Sequence, residues 1–278
     1  MIENDNKLLE IIKKTGFPTE LKVGSIFQKN DWYIRHSTYY TDIDNNEEKE
    51  REIDVSAVNE REFIVNKKAC KIIHHLICEV KKTDNSKPWI IFSTRKNPEE
   101  DDLKYVKVRG YGDYSFKLNE NETIFSKSRI HRNSLIGKIN RIGRSYFVYI
   151  KGKNNQNNNK QIISALYSTT KALENYFSGS HPLYQRKEIR NVKYKEYNVI
   201  LEVIEPVIVL EGPIYEAYIN DKGDLALEKV SSTIISFNHL CETSQNNYLV
   251  EVVNLEYLEH FLCLKDEWMT KYLGVFKF

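Results

Sequence analysis

Cysteine is scarce in this chain. Four residues in 278, Cys70, Cys78, Cys241 and Cys263, are scattered and form no C-x-x-C pair. A zinc site and a disulfide framework are both disfavoured, and a reducing, cytoplasmic setting fits best. Long apolar runs are missing too. None approaches the ~20 residues that span a bilayer, so no membrane partner is expected. The start, Met1 to Lys14, carries acids and amides where a secretory leader would place a basic segment and then an apolar one. No internal repeat or linker divides the chain. At roughly 150 residues per domain as a soft prior, the expectation is one elaborated domain over residues 1–278.

Acid is missing from one long stretch. The net charge is only +2, yet nothing from Thr123 to Leu173 is acidic. Lys127, Arg129, Arg132, Lys138, Arg141, Arg144, Lys151, Lys153, Lys160 and Lys171 all fall there. Acids crowd instead between Asp42 and Asp54. A segment that basic is a candidate track for a phosphate backbone, where each neutralised phosphate releases counterions. The residues from Lys127 to Lys160 are the candidate nucleic-acid contacts. The competing reading is a solvated face balanced in space by the acid-rich loop.

What is present begins with a helix capped by Asn4 or Asp5, with Leu8, Ile11 and Ile12 on its apolar stripe, ending near Lys14. Gly16-Phe17-Pro18 breaks it, and Thr19-Glu20 follows. Trp32–Tyr40 reads as a strand, Asp42–Lys49 as a turn and Glu52–Val58 as the returning strand of a hairpin. His74–Lys82 is a third strand, Thr83–Lys87 a turn, and Pro88–Phe92 opens a fourth strand. Asn97–Asp102 and Asn154–Asn159 read as loops, with a short apolar piece at Tyr146–Ile150 between them. Gln161–Phe177 is a helix. Strands are expected at Tyr197–Ile204, Val207–Leu210, Ile214–Ile219, Val230–Phe237 and Tyr248–Val253, then a last helix over Leu255–Tyr272.

Within that frame the most informative pattern is Glu79-x-Lys81, closing the apolar run Leu76-Ile77-Cys78 about two dozen residues after Asp54. Side chains alternate faces along a strand, so Glu79 and Lys81 point one way while Cys78 and Val80 point the other. In Arg51–Ala57, Ile53 and Val55 alternate with Glu52 and Asp54, which places Asp54 opposite a core-facing pair. If the two strands are neighbours, two carboxylates and an ammonium converge. At ~4 Å and an effective dielectric near 20, two carboxylates repel by roughly 4 kcal/mol. Such a pair wants a cation. The bland alternative is a structural Glu79–Lys81 ion pair, since a carboxylate in a central strand is costly unless paired or metal-bound.

Helix, acid, hairpin, acid, acid-x-Lys strand, apolar strand, then helix is an order that resembles the PD-(D/E)xK nuclease superfamily. The resemblance covers roughly Lys7 to Phe177. It implies an α/β fold, a mixed β-sheet core flanked by helices in a restriction-endonuclease-like αβββαβ arrangement. That core would span about 4–180, with a strand-rich extension and a final helix over about 181–278. It also implies that Asp54 and Glu79 ligate Mg²⁺, with Mn²⁺ as a substitute, and that Lys81 orients or deprotonates the attacking water. Glu20 would help through a metal-bound water or a second ion, and Gln161 would support the site. The carbonyl of Val80 is the expected backbone ligand, in keeping with the few carboxylates and several waters that Mg²⁺ prefers. Ile53 stands where the motif's nominal proline would be, and Ala165 where the exonuclease branch carries tyrosine.

The function expected is metal-dependent hydrolysis of DNA phosphodiesters, in restriction, another prokaryotic defence or DNA processing. The partners expected are nucleic acid, DNA ahead of RNA, with a homodimer as a candidate assembly. A non-cleaving nucleic-acid-binding or assembly protein on the same scaffold is the alternative. An unrelated α/β protein with a structural Glu79–Lys81 pair is a third reading. Other candidates are weaker. His74-His75 face opposite sides of a strand and cannot chelate together. His131, His181 and His260 read as surface or capped residues. Gly137-Lys138 lacks the preceding glycine of a phosphate-binding loop. Tyr111 and Tyr114 suit base stacking or a β-turn about equally.

Overall fold

The strand that holds Glu79 is buried without interruption from Cys70 to Val80, so both its faces are covered and the rest of the chain is arranged around it. The computed structural model describes residues 2–44, 47–65, 67–96, 107–112, 140–152, 158–178, 197, 199–241 and 244–274. The loops expected at Asn97–Asp102 and over most of Asn154–Asn159 lie outside the described residues, as do Tyr114, His131, Gly137-Lys138 and His181-Pro182.

The helices are α1 (Ile2–Lys13), α2 (Phe17–Lys29), α3 (Lys160–Ser178) and α4 (Leu258–Gly274). The first three strands, β1 (Tyr33–Asp44), β2 (Glu47–Val65) and β3 (Lys68–Lys82), form an antiparallel meander. Next come β4 (Trp89–Arg95), β5 (Lys107–Gly112) and β6 (Arg141–Val148). The last five are β7 (Val199–Glu211), β8 (Ile214–Ile219), β9 (Leu225–Val230), β10 (Ser232–Cys241) and β11 (Ser244–Asn254). Among the described residues all eleven join one mixed sheet in the order β1-β2-β3-β7-β11-β10-β6-β4-β8-β9, with β5 also on β7. The described residues therefore form a mixed α/β structure with four helices and one large mixed sheet. No helix among the described residues is long and apolar enough to cross a membrane.

β7 runs parallel to β3 from Cys70↔Val199 to Lys82↔Glu211. It is continuous through Pro206, where the sequence reading broke it in two. On its other side β5 pairs with Val199–Ile204 and β11 with Val207–Leu210, so Pro206 sits in the gap between them. A proline in a strand is tolerated where no ladder bond is asked of its nitrogen.

Two apolar layers hold the sheet. On one face α3 contributes Ile162, Leu166, Leu173 and Tyr176, packed with Ile77, Ile91, Ile208 and Trp89. On the other, Val23 and Phe27 of α2 and Leu258, Phe261 and Leu262 of α4 cover Leu76, Cys78, Val207 and Val209. Full burial of a side chain such as Phe27 contributes roughly 1.5–3 kcal/mol. The helix α2 is a correction to the sequence reading, which treated Gly16-Phe17-Pro18 only as a breaker. Pro18 lies in the first turn, where helix N–H groups have no partner to lose. Close approach then seats α2, because a Cβ on Gly24 would collide with His36 and Ile34 of β1. Two short strands were also missed. Lys107–Gly112 is β5 rather than a turn, and β9 is an exposed edge without clear alternation.

Candidate active site

Asp54 sits where β2 parts from β3. The ladder between them runs from Val65↔Lys68 to Val55↔Cys78 and goes no further. Ser37, the β1 residue between the pairs His36↔Val55 and Thr38↔Ile53, has φ of 51°. A serine at positive φ is uncommon and marks local strain. Ile53 lies in the α3-side cluster whereas Val55 and Ala57 lie in the α2/α4-side cluster. This corrects the expectation that Ile53 and Val55 share a face. Such a break in a ladder re-aims the side chain at its centre. Here Asp54 Oδ2 accepts a 2.6 Å hydrogen bond from the Val80 N–H, reaching across to β3.

Glu79 and Lys81 lie on the α3 side of β3, two residues beyond Ile77. Lys81 Nζ donates to Glu79 Oε1. The other oxygen, Oε2, is buried with no hydrogen-bond partner. Glu79 is 5% exposed, so that oxygen has lost water and gained nothing. An uncompensated polar atom of this kind costs roughly 1–3 kcal/mol, and more when charged. Burial accordingly pushes the Glu79 carboxyl up to about 7, against the pull of Lys81 and with help from Asp54 and Glu20. Burial raises Asp54 as well, opposed by the Val80 N–H and by Lys81. Glu20 is raised by burial and by the charges of Asp54 and Glu52. Three carboxyls that feel one another and all shift upward describe negative charge in search of a counter-ion.

Glu20 reaches this patch because α2 is moored to the end of β7. Thr19 Oγ1 donates to Glu211 Oε2, Lys22 Nζ to Glu211 Oε1 at 3.2 Å, and Lys82 Nζ lies 3.3 Å from Oε2. These partners hold the Glu211 carboxyl below the ordinary range even though burial opposes them. Thr83 N–H bonds to the Glu211 carbonyl, and a Cβ on Gly212 would run into Thr83. Glu211 was missed by sequence reading. It lies 192 residues from Thr19, and no local pattern marks it.

Gln161 stands in the first turn of α3. Its Nε2 donates to the Lys82 carbonyl at 3.2 Å and its Oε1 accepts from Trp89 Nε1 at 3.3 Å. It thus joins the end of β3 to the start of β4 and the helix to both. The Val80 side chain is in the α2/α4 core.

The residues present fit a divalent ion in kind. Hard cations take oxygen ligands, and a buried carboxylate oxygen without a donor is what they would satisfy. Asp54, Glu79 and the Val80 carbonyl are the ligands the site can offer, with Glu20 nearby. Among the described residues no three His, Cys, Asp or Glu side chains stand close enough to hold an ion by themselves.

The basic track fares differently. Lys127, Arg129, Arg132, Lys138 and Lys153 lie outside the described residues. Arg141 is committed elsewhere: its guanidinium bonds to Glu216 at 3.0 Å and Glu228 at 3.1 Å and stacks 3.7 Å from the Tyr218 ring. Arg144 donates to Thr94 Oγ1 at 3.1 Å. Lys151 and Lys160 are exposed. His260 is exposed beside Tyr257.

A second charged cluster was not foreseen. Lys265 of α4, 2% exposed, bonds to Glu205 of β7 and lies 2.7 Å from Glu251 of β11. His74 of β3 is fully buried between the rings of Trp32 and Trp268, 3.5 Å from Glu205. Lys265 and His74 hold Glu205 down to about 2 against burial, while burial raises Glu251 to about 7. No family model, curated protein or solved structure matches this chain, so the site stands on its own geometry.

Proposed function

We propose that this protein is a Mg²⁺-dependent nuclease, with Mn²⁺ as a substitute, that hydrolyses DNA phosphodiester bonds. The carrying observation is the buried, unpartnered Glu79 Oε2 in a patch shared with Asp54, Glu20 and Lys81. Supporting it is the order α2, β1-β2-β3, α3 and a strand parallel to β3, which suits the PD-(D/E)xK resemblance of the motif. Restriction, another prokaryotic defence or DNA processing is the setting this reading suits.

A bound divalent ion supplies Lewis-acid stabilisation of charge on the phosphate and a more acidic water. The chain's own residues supply the rest. Asp54 is oriented by the Val80 N–H, and Glu79 by Lys81, so both carboxylates present fixed oxygens. The Lys81 side chain is 22% exposed, which lets its ammonium meet a phosphate oxygen or the attacking water while Glu79 restrains it. An ammonium there is a compact positive point charge beside the reacting atoms. Gln161 keeps the end of β3 in register with α3, and Glu211 keeps Glu20 in reach. Lys151 and Lys160 are basic-track residues exposed to meet backbone phosphates, contacts that position rather than specify.

A non-cleaving nucleic-acid-binding or assembly protein is the second reading. The observation in its favour is that Lys81 already pairs with Glu79, and among the described residues no three ligating side chains are grouped closely enough to hold an ion. Plasmid and linear DNA incubated with freshly purified protein in Mg²⁺, with and without chelator, separates the two. Cleavage that chelator, Glu79→Ala or Lys81→Ala abolishes is the expected result. DNA binding without metal-dependent cleavage would overturn the nuclease reading in favour of the scaffold.

A further inference from the structure

Among the described residues the sheet ends at β9, a six-residue edge that carries Glu228 and Lys229 and also leaves two leucines exposed. Among the described residues β9 has one strand partner, β8. Its hairpin fixes which backbone groups are left over. Asn220 N–H bonds to the Asp224 carbonyl, so Asn220 and Asp224 form a hydrogen-bonded pair. Antiparallel ladders alternate bonded and non-bonded pairs. Ile219↔Leu225, Ala217↔Leu227 and Tyr215↔Lys229 are then the non-bonded pairs. The N–H and C=O groups of Leu225, Leu227 and Lys229 therefore point away from β8, along the open edge.

The same residues carry the exposed apolar side chains. Leu225 is 70% and Leu227 61% exposed. The cross-strand rows extend the patch: Leu227 lies beside Ala217 and Phe92, and Leu225 beside Ile219, which is 65% exposed. Phe92 is 36% exposed and packs against Phe147. This is the face opposite Trp89, Ile91 and Ile214, which belong to the α3-side core. An edge strand with exposed leucines and free backbone groups is a template for another strand.

We infer that this edge is where a second copy of the chain docks, β9 against β9 in antiparallel pairing about a two-fold axis at Leu227. A two-fold axis normal to the sheet keeps each residue on its own face, so odd-numbered residues meet odd-numbered ones. Centring on Leu227 uses every outward backbone group. Leu227 faces its own copy, and Leu225 faces the aliphatic stem of Lys229 on each side. Glu228 meets Ala226. Centring on Glu228 would set two carboxylates directly opposite, which is destabilising. The favoured register is thus isologous, apolar at its centre and free of like-charge pairs.

Light scattering and disulfide trapping on the full-length protein test this. At roughly 100 µM, well above a micromolar Kd, the 32.8 kDa chain should elute as a dimer. Leu227→Lys should weaken it at least about tenfold with an unchanged melting curve, and Leu227→Ile should preserve it. Residues in a bonded pair have Cα atoms ~5.5 Å apart, within disulfide reach. Leu227→Cys should therefore cross-link to its copy under mild oxidant, far faster than Leu225→Cys. A monomer at that concentration overturns the inference. So does a dimer that Leu227→Lys spares and that Ile11→Lys, on the exposed stripe of α1, breaks. Equal trapping of the two cysteine variants overturns the register and with it the proposal.

Discussion

Two clusters in this molecule are built from the same parts and end in different states. Each has two carboxylates, one lysine and a fourth ionisable group held near β3 and its neighbours. In the cluster under α4, Lys265 lies between Glu205 and Glu251, so both acids share one cation, and two tryptophans close over His74. In the cluster at the end of β3, Lys81 reaches one oxygen of Glu79, Asp54 takes a backbone N–H, and Glu79 Oε2 receives nothing. The first is sealed: Glu251 Oε2 and both His74 ring nitrogens also lack a hydrogen-bond partner, but Lys265 Nζ lies within ion-pair distance of both acids. The second opens to solvent through Lys81 and carries more acid than its lysine can offset. A buried charge set completed by the chain serves the fold. One left incomplete at the mouth of a sheet calls for a partner from outside.

The comparison breaks most sharply under substitution. Glu79→Gln or Lys81→Ala should lower metal-dependent cleavage by roughly 10³-fold or more, while the chelated Glu79→Gln protein melts no lower than wild type. Glu79→Gln removes a desolvated charge, so its melting temperature should stay level or rise. Lys265→Ala should do the reverse. It strands two buried carboxylates, costs about 3–5 kcal/mol and shows as a fall in the thermal midpoint. A Lys265→Ala protein as stable as wild type would sink the view that the sealed cluster is structural.

Next in size is a pH effect. The folded Glu79 carboxyl, at about 7, lies above its ordinary value of 4.5. Protonation is thus favoured in the folded state. The stability it contributes is complete below pH 4.5 and is lost as pH rises through 7. Glu251 is raised to the same value and adds to the same window. Chelated wild-type protein should therefore melt lower at about pH 8 than at about pH 5, and Glu79→Gln should keep only the shares that Glu251, Asp54 and Glu20 contribute. Added Mg²⁺ should restore more stability at the higher pH, since it binds the deprotonated site. Denaturation curves with matched slopes check both. Identical profiles for wild type and Glu79→Gln would contradict the shift.

Smaller still is the mooring of α2. Glu211→Gln weakens contacts to Thr19, Lys22 and Lys82 and should raise the Mg²⁺ concentration for half-maximal cleavage by about tenfold, the low end of the 10–100-fold span of residues that support metal ligands. In a Glu20→Gln background the same change should add little. Additive effects would show that Glu211 acts on stability alone. The exposed pair Arg95–Asp221 marks the floor, and Asp221→Asn should shift stability by under about 0.5 kcal/mol.

Much of the site was legible because it lies on short, regular spacings. Strand alternation put Glu79 and Lys81 on one side of β3 and His74 and His75 on opposite sides. Other features answer to contacts far off in the chain. Pro206 reads as a break until β5 and β11 are seen to meet beside it. Pro18 reads as a stop, though the first turn of a helix accepts it. Asp54 was recognised as an acid on a strand, but its aim depends on Ser37 and on where β2 leaves β3. Glu211 and Lys265 find their partners 192 and 60 residues away, so no window of sequence could single them out.

The central claim is that Glu79 Oε2 belongs to a divalent ion. Titration calorimetry of Mg²⁺ and Mn²⁺ into wild type and Glu79→Gln at about pH 8, above the raised carboxyl value, tests it without any nucleic acid. The expected result is a wild-type site that binds the ion with little proton release at that pH and is lost in Glu79→Gln. Absence of binding at millimolar metal, or equal binding by both proteins, would contradict it.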